Sequence, residues 1–508
     1  MIRLFPIFIV LCWWVEARAA ELYHEQFRPQ FHFTPATNWM NDPNGMVFYD
    51  GEYHLFYQFN PFGNKWGHMS WGHSVSPDLV HWEHLPVALY EENDVMIFSG
   101  SAVVDWKNTS GFGQNGKPPL VAIYTGHYTK KPLQNQNIAY SNDRGRTWVK
   151  YANNPALDIG EKDFRDPKVS WHEASKRWIM TVSWPVHHQV RFYASTNLKE
   201  WTHLSDFGPA GSTQGIWECP DLFPLKNGRG TKWVLVVNVG SGAPAGGSGC
   251  QYFVGDFDGS KFTLDSSFPT GKDAALWADY GRDFYAAVSW SDVPKRDGRR
   301  LWLGWMSNWE YANDVPTSPW RSAMSVPREL TLRKTPEGLR MVQQPVEELR
   351  KLRGAHHRLG NASFSRASNW LAGRELKSEL LEMEMDFTVE KSSGDFGIKI
   401  ASGANEETVV RLSKDGRLSL DRTQSGRTDF HRKFPGVHEA KLSVRNGVAS
   451  LHLFLDTSSI EVFANEGEAV LTDLILPTGD KRKLELISNE QAPRVMQIHL
   501  WELKSAWK

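Results

Sequence analysis

The sequence of 508 residues predicts an all-β protein, a five-bladed β-propeller followed by a C-terminal antiparallel β-sandwich. Three observations support this prediction. Short apolar and aromatic runs alternate with turns rich in Gly, Pro, Asn and Asp, while long helical periodicities are few. One strand–turn–aromatic pattern recurs through the first part of the chain. That pattern stops near residue 337. The strands predicted after it instead alternate apolar and polar residues.

The recurring pattern ends a strand, turns at Asp or Asn, and resumes at an aromatic residue. It occurs in the stretches SVSPDLVHWEHL, IAYSNDRGRTWVKY, RFYASTNLKEWTHL and QYFVGDFDGSKFTL. The aromatic residues follow one another at intervals of about 50 to 65 residues, a spacing that suits propeller blades of short strands. These positions are Trp82, Trp148, Trp201 and Phe262. We expect a fifth blade from the segments 279–290 and 299–309, closing near Trp320.

Three carboxylic acids occupy similar positions within these repeats. Asp42, Asp166 and Glu218 each precede the aromatic residue of their repeat by about 35 to 45 residues, and Ser99 takes a similar place in the remaining repeat. The first strand of each propeller blade lines the central channel. Equivalent early positions in three blades are therefore expected to converge on one axis.

The remainder of the chain predicts a second domain. Residues 21–337 form the expected propeller, and residues 338–352 read as a linker with a short helical stretch. Residues 353–508 alternate apolar and polar positions in several strands, with a hairpin turn at Asp415-Gly416, as in an antiparallel sandwich. We find no plausible catalytic cluster in this half.

The N-terminus predicts export from the cell. Arg3 precedes an apolar run from Leu4 to Val15, which is too short to span a bilayer, and Ala17-Arg18-Ala19 offers a cleavage site. Residues 1–20 are therefore expected to be a signal peptide, and the mature protein to be secreted, or periplasmic in a bacterium. Only Cys219 and Cys250 remain in the mature chain, so one disulfide is possible but not required.

Composition excludes some partners and favours others. The net charge is -1 and the isoelectric point about 7.0, which argues against a binder of nucleic acid or of anionic membranes. The chain has 23 tryptophans, whose flat faces suit stacking on sugar rings, although tryptophan also fills β cores. The paired histidines His187-His188 and His356-His357 lack the helical spacing of a zinc site, and no metal is expected.

Three acids on one channel suit the hydrolysis of a glycosidic bond. Such an enzyme uses one ionised carboxylate and one protonated acid on either side of that bond. Glu218 lies between Trp217 and Cys219, where poor solvation would favour a protonated acid. Considered singly, each acid has a structural alternative: Asp42 as a turn cap, Asp166 in an ion pair with Arg165, and Glu218 in a salt bridge. The shared register of the three favours catalysis.

Five ordered motifs strengthen this interpretation. WMNDPNG, YQFNP, FSGSA, FRDPK and WECPD follow one another here as they do in glycoside hydrolase family 32, which the chain resembles over nearly its whole mature length. That family comprises invertases, inulinases, levanases and related β-fructosidases. The resemblance implies a five-bladed propeller with a β-sandwich, and no metal or organic cofactor. The stretches DYGRDFYAAVSWSD and NDVPTSPWRSAMSVPREL are most similar to exo-acting inulinases and levanases.

The resemblance also implies the role of each acid. Asp42 would attack C2 of the fructosyl unit, Glu218 would be the general acid and base, and Asp166 would bind fructose hydroxyls and stabilise the transition state. Residues implied to shape the pocket are Asn41, Gln58, Trp66, Phe98, Ser99 and Arg165, with Trp320 as a pocket wall and Asp279 as a further candidate.

The expected function is that of a secreted, retaining β-fructofuranosidase that removes terminal fructose from sucrose or from inulin- and levan-type fructans. A fructosyltransferase would use the same acids and differ only in the acceptor. A non-catalytic fructan-binding protein is a third alternative, which the intact acid pair argues against. The sequence does not rank sucrose, inulin and levan.

Overall fold

The computed structural model describes residues 22–269, 271, 274–444, 446–479 and 481–507. The predicted signal peptide, residues 1–20, lies outside the described residues. Strands dominate the described chain, which confirms the all-β prediction. None of its helices has the length and apolar character needed to cross a membrane.

The N-terminal region consists of five consecutive antiparallel sheets within the described residues. The first sheet contains β1 (Asn38–Tyr49), β2 (Glu52–Asn60), β3 (Ser70–Ser76) and β4 (Glu83–Leu89). The second contains β5 (Val95–Val104), β6 (Leu120–Tyr128), β7 (Leu133–Ser141) and β8 (Val149–Lys150). The third contains β9 (Arg165–His172), β10 (Arg177–Trp184), β11 (Gln189–Ser195) and β12 (Thr202–Phe207), with a 3-10 turn at Pro185–His187.

Two further sheets complete this region. The fourth contains β13 (Trp217–Asn227), β14 (Gly230–Val239), β15 (Gly249–Phe257), β16 (Phe262–Leu264) and β17 (Leu276–Trp277). The fifth contains β18 (Tyr285–Ser289), β19 (Arg300–Met306), β21 (Ala323–Met324), β22 (Arg328–Thr335) and β23 (Gly338–Pro345). Strand β20 (Trp320–Arg321) instead pairs in parallel with β1, so a late segment of the chain joins the first sheet.

The turn of each repeat is held by its own side chains. In the first repeat the Asp78 carboxylate accepts the backbone N–H groups of Val80 and His81 at 3.1 and 2.9 Å. The indole N–H of Trp82 then donates to the Leu79 carbonyl at 3.1 Å. The tryptophans of the next two repeats make the same bond: Trp148 to Gly145 and Trp201 to Leu198. The recurring sequence pattern therefore encodes one local structure.

The first strands of the five sheets form a closed ring. Strand β1 contacts β5, β5 contacts β9, β9 contacts β13, β13 contacts β18, and β18 contacts β1. The residues that begin these strands consequently lie together at one end of the ring. This arrangement positions the site described below.

The prediction that residues 338–352 form a linker is wrong for the first half of this segment. Gly338–Pro345 forms β23, which pairs with β22 through a tight turn and so belongs to the fifth sheet. Three consecutive residues of this strand, Met341 to Gln343, are buried, so the strand lacks the alternation of apolar and polar positions by which a strand is recognised in a sequence. Only the second half matches the expected short helical stretch, as a 3-10 helix at Glu347–Leu352.

The C-terminal region has two antiparallel sheets that share one hydrophobic core, consistent with a β-sandwich. One sheet contains β24 (Arg353–Leu359), β25 (Leu381–Thr388), β30 (Val448–Leu455), β31 (Ser459–Ala464), β32 (Ala469–Leu474) and β34 (Arg494–Leu503). The other contains β26 (Phe396–Ala401), β27 (Glu407–Leu412), β28 (Arg417–Gln424), β29 (Val437–Lys441) and β33 (Lys483–Ser488). Helix α1 (Phe364–Ala372), capped by Ser363, covers β33.

Buried charges join the two regions. His32 donates from both ring nitrogens, to Asp456 at 2.7 Å and to Glu461 at 2.8 Å, so it carries a positive charge. Burial alone would lower the pKa of His32, but the hydrogen bonds from these carboxylates raise it to about 9. Arg328 binds the other oxygen of Glu461 at 2.6 Å. A buried pair of this kind is strongly destabilising when one partner is lost.

The charge on His32 predicts a loss of stability in alkaline solution. Its folded-state pKa lies above the unfolded value, so its contribution is complete below about pH 6.5 and is lost as the pH rises through 9. The free energy of unfolding should fall by up to about 3 kcal/mol between pH 7 and pH 10. Urea unfolding at both pH values measures this change, and His32→Gln should flatten it. An equal pH dependence in the variant would contradict the assignment.

Candidate active site

An irregularity of the same kind interrupts the first strand of every sheet in the ring. In each, two residues stand opposite one residue of the second strand, which is a β-bulge. The bulged pairs are Asn41 and Asp42, Phe98 and Ser99, Asp166 and Pro167, Cys219 and Pro220, and Ala286 and Ala287. Glu218 and Tyr285 immediately precede their bulges. Most of the predicted site residues therefore lie at or beside a bulge.

The bulges force unusual backbone conformations. Asp166, Cys219 and Ala286 have φ angles of 65, 44 and 52°, in the left-handed region that residues other than glycine rarely adopt. Each such residue costs on the order of 1–3 kcal/mol and persists only when the surrounding structure imposes it. In return, each bulge changes the direction of side chains that regular alternation would send to opposite faces of the sheet.

Cys219 connects two of the three acids. Its backbone N–H donates to Oδ2 of Asp166 at 2.9 Å, and its Sγ lies 3.6 Å from that oxygen and 3.6 Å from Oδ2 of Asp42. Ser99 also donates its hydroxyl to Oδ2 of Asp42, at 2.8 Å. The other oxygen of Asp42, Oδ1, has no hydrogen-bond partner among the described residues. The hydrogen bonds to this carboxylate are thus concentrated on Oδ2, while Oδ1 is buried without a partner among the described residues.

Glu218 is held by two side chains. Arg165 donates to Oε1 of Glu218 from Nε at 3.1 Å and from Nη2 at 3.0 Å. The Tyr285 hydroxyl donates to the other oxygen, Oε2. Sequence reasoning missed Tyr285. The sequence feature that could have identified it is its position at the start of β18, the first strand of the fifth sheet. The first strands of other sheets carry the acids at equivalent positions.

The cluster holds more carboxyl groups than cations. Burial, followed by the nearby Glu218, raises the pKa of Asp42, whereas hydrogen bonds from Ser99, Asn41 and Cys219 oppose the rise. Burial raises the pKa of Asp166 to about 7, and the charges of Glu218 and Asp42 act in the same direction while Arg165 opposes them. Perturbed carboxyl groups that face one another in this way are typical of catalytic sites.

The predicted pocket residues surround these acids to different degrees. Asn41 accepts the indole N–H of Trp39 at 2.8 Å, and the Gln58 amide donates to the carbonyl of Ile97 at 2.9 Å, so both are fixed in place. Trp66 is 41% exposed and meets the ring of Phe98 edge-on, with centroids 6.1 Å apart. Trp66 therefore offers an open aromatic face at the rim.

Two of the predicted pocket residues lie elsewhere. The Asp279 carboxylate accepts hydrogen bonds from Arg328 at 3.0 Å and from the Thr472 hydroxyl at 2.6 Å, so it belongs to the buried contact with the C-terminal region. Trp320 is only 1% exposed, and the guanidinium of Arg28 covers its ring at 3.9 Å. The prediction that Asp279 and Trp320 line the pocket is therefore wrong, because side chains from distant segments already occupy the space beside both.

Possible metal ligands meet at one place in the described residues, away from these acids. Ligand atoms of Glu382, Glu384 and His452 lie within 4.8 Å of one another. Arg353 already binds both carboxylates, at 2.6 and 3.1 Å, and supplies the positive charge that a metal would otherwise bring. Cys219 and Cys250 are both free and buried, so the possible disulfide is absent.

Comparison with known proteins assigns the family. The N-terminal domain of glycosyl hydrolases family 32 matches residues 32–345, and the C-terminal domain of the same family matches residues 346–502. The chain belongs to glycoside hydrolase family 32. It is therefore an enzyme of the glycoside hydrolase class.

Relatives within family 32 are similar over nearly the full chain. A levanase of Bacillus subtilis is 51% identical over 99% of this chain and 74% of its own length. An extracellular exo-inulinase of Aspergillus ficuum is 40% identical over 96% of both chains. The crystal structure of an exo-inulinase from Aspergillus awamori superposes with a TM-score of 0.89 at 38% identity, covering 96% of this chain and 100% of that one.

The raised pKa of Asp166 predicts a conflict between stability and activity. Folded Asp166 binds a proton more tightly than the unfolded chain does, so stability falls as the pH rises from about 4 to 7 and stays reduced above. Asp166→Asn should therefore raise the free energy of unfolding at pH 8 by up to about 4 kcal/mol. The same substitution should reduce hydrolysis by roughly 10²-fold or more, because it removes a charge beside the reacting groups.

Denaturant unfolding at pH 8 and pH 4 tests this conflict, since the gain should vanish at the lower pH. Asp50→Asn, which removes an exposed carboxylate, is the matched control and should change neither quantity appreciably. A variant that is less stable than the wild type at pH 8 would contradict the argument.

Proposed function

We propose that the chain is a secreted, retaining β-fructofuranosidase that removes terminal β-D-fructosyl residues by double displacement. The observation that carries this proposal is the meeting of Asp42, Asp166 and Glu218 at one end of the strand ring, joined through Cys219 and Arg165. In the proposed architecture the five N-terminal sheets are the blades of a propeller, and the ring of first strands surrounds its axis.

In the first displacement, the Asp42 carboxylate attacks C2 of the fructosyl unit. Hydrogen bonds from Ser99 and Cys219 to Oδ2 stabilise the ionised form of this nucleophile. Glu218 donates its proton to the oxygen of the leaving group as the glycosidic bond breaks. The product of this step is a covalent fructosyl-enzyme and a free leaving group.

In the second displacement, Glu218 accepts a proton from water, which attacks C2 as the bond between C2 and Asp42 breaks, and fructose is released with its original configuration. Arg165 and Tyr285 hold Glu218 in one orientation throughout. Asp166 is placed to accept hydrogen bonds from fructose hydroxyl groups, and its negative charge would stabilise the positive charge that develops on the sugar ring.

The substrate class follows from relatives. Similar proteins are named levanase, extracellular exo-inulinase and invertase. We therefore propose sucrose, inulin-type and levan-type fructans as substrates, with attack at the chain end. Support for binding at the rim comes from Trp66, whose exposed ring can stack on the sugar next to the scissile bond.

Secretion is also proposed. It is supported by the signal peptide that the sequence predicts at residues 1–20 and by relatives described as extracellular. A fructosyltransferase on the same scaffold remains the alternative, since an acceptor sugar could replace water in the second displacement. A non-catalytic fructan-binding protein is the weaker alternative, because the acid pair Asp42 and Glu218 is intact.

Removing either principal acid should nearly abolish the release of fructose. Asp42→Ala removes the nucleophile and Glu218→Ala removes the proton donor, so each should lower kcat at least about 10³-fold. Fructose released from sucrose and inulin is measured in each variant, with Asp94→Ala as an exposed-carboxylate control. The circular dichroism spectrum should remain that of the wild type. Full activity in either catalytic variant would refute the mechanism.

The stereochemistry and the acceptor can be tested together. With methanol present, double displacement should yield methyl β-D-fructofuranoside, because two inversions restore the starting configuration. Proton NMR of the product distinguishes this anomer from the α form, which a single displacement would give. At high sucrose, free fructose should exceed newly formed oligosaccharides, and the reverse result would favour the transferase alternative.

A further inference from the structure

A second cavity, the distal cleft, lies at the other end of the strand ring. Its volume is about 770 Å³, within the range of small-molecule sites, and it is lined by the later residues of the same first strands that carry the acids near their beginnings. Ser170 of β9 lines the cleft and lies four residues beyond Asp166, a separation of about 13 Å along an extended strand. None of the three acids lines the distal cleft, whose inner end at Lys168 and Asp221 lies two and three residues beyond Asp166 and Glu218.

Tryptophan rings form the walls of the distal cleft. Trp106, which is 61% exposed, donates its indole N–H to Asp292 at 2.9 Å. Trp171 donates to Glu173 at 2.7 Å. These bonds fix the ring orientations before any ligand arrives, so little conformational entropy is lost on binding. Trp178 and Trp233 also line the cleft.

A buried carboxylate in the lining has an unsatisfied oxygen. Asp221 is fully buried, and its Oδ2 accepts the backbone N–H of Ser289 at 2.6 Å and lies 3.6 Å from the ammonium of Lys168. Its Oδ1 has no partner among the described residues. Because Asp221 and this oxygen are closed to solvent, Asp221 contributes to the floor of the cleft by holding Ser289 and Lys168 in place.

The charges around the distal cleft nearly cancel. The lining contains four basic and three acidic side chains, namely Lys107, Lys168, Lys295 and Arg300 against Glu173, Asp221 and Asp292. This balance favours neither a polyanion nor a polycation. Fixed aromatic faces combined with many hydrogen-bonding groups instead match a neutral, polyhydroxylated ring compound.

We propose that the distal cleft is a second saccharide-binding site, which holds a fructan segment without cleaving it. Trp106 and Trp171 would stack on sugar rings. This proposal rests on the proposed function only for the identity of the sugar. Because the cleft and the acids lie at opposite ends of one ring, a polymer bound there keeps the enzyme near further chain ends.

Binding is tested first in the Asp42→Ala protein, where turnover is removed. Nystose is titrated by calorimetry while the resonances of the tryptophan side chains are followed by NMR. We expect shifts of the Trp106 indole, and at least a ten-fold loss of affinity at this site when Trp106→Ala is added. Trp106→Phe should keep the affinity within about three-fold, because the aromatic face remains.

Two results would overturn the proposal. One is nystose binding with unchanged affinity and stoichiometry in the doubly substituted Trp106→Ala, Trp171→Ala protein. The other is equally tight binding of cellotetraose, which would remove the assignment to fructans. Since Trp106 is exposed, its replacement should leave the melting temperature unchanged, and this is measured alongside.

Kinetics of the Trp106→Ala enzyme separate this proposal from the proposed function. The kcat/KM for sucrose should remain within two-fold of the wild type, while KM for inulin should rise about three- to ten-fold. A wild-type protein that hydrolyses no fructoside would contradict the proposed function, whereas the nystose titration does not depend on turnover. Equal KM values for inulin in both proteins would contradict the distal site.

Discussion

The five β-bulges at one end of the strand ring are the constraint on which the site depends. Regular alternation would send Asn41 and Asp42 to opposite faces of β1, but the bulge allows both to serve one end of the ring. On β9 and β13 it brings Asp166 and the residues around Glu218 to the same point. No single sheet could assemble this cluster, because each contributes only one or two of its members.

Such a strained ring needs a rigid surrounding, and the C-terminal region helps to provide it. One hydrophobic core contains Trp39 and Met40 beside the catalytic bulge together with Phe463 and Trp501 from the second region. Arg328 also forms buried ion pairs with Asp279 and with Glu461, and the second of these joins the two regions in a fixed orientation. The second region therefore stabilises the strands whose left-handed residues orient the three acids.

Sequence alone predicted what is local or repeated. The turn around Trp82 recurs because one indole hydrogen bond closes it each time, and this periodicity located the acids to within a few residues. Their exact relation escaped prediction: Asp42 is the second residue of its bulge, Asp166 the first, and Glu218 the one before. Asp279 was misplaced for a related reason, since only the folded chain brings Arg328 and Thr472 to its carboxylate.

The excess of negative charge at the catalytic end has a physical explanation under the proposed mechanism. Asp42, Asp166 and Glu218 share one nearby guanidinium, that of Arg165, and burial together with the neighbouring carboxylates raises the pKa of Asp166, so full ionisation of the cluster is unfavourable. Glycoside cleavage develops positive charge on the sugar ring, so the same carboxylates are better stabilised in the transition state than before substrate binds. Electrostatic repulsion that weakens the free protein thus becomes attraction for the reacting sugar, and the bulged strands prevent the acids from moving apart to relieve it.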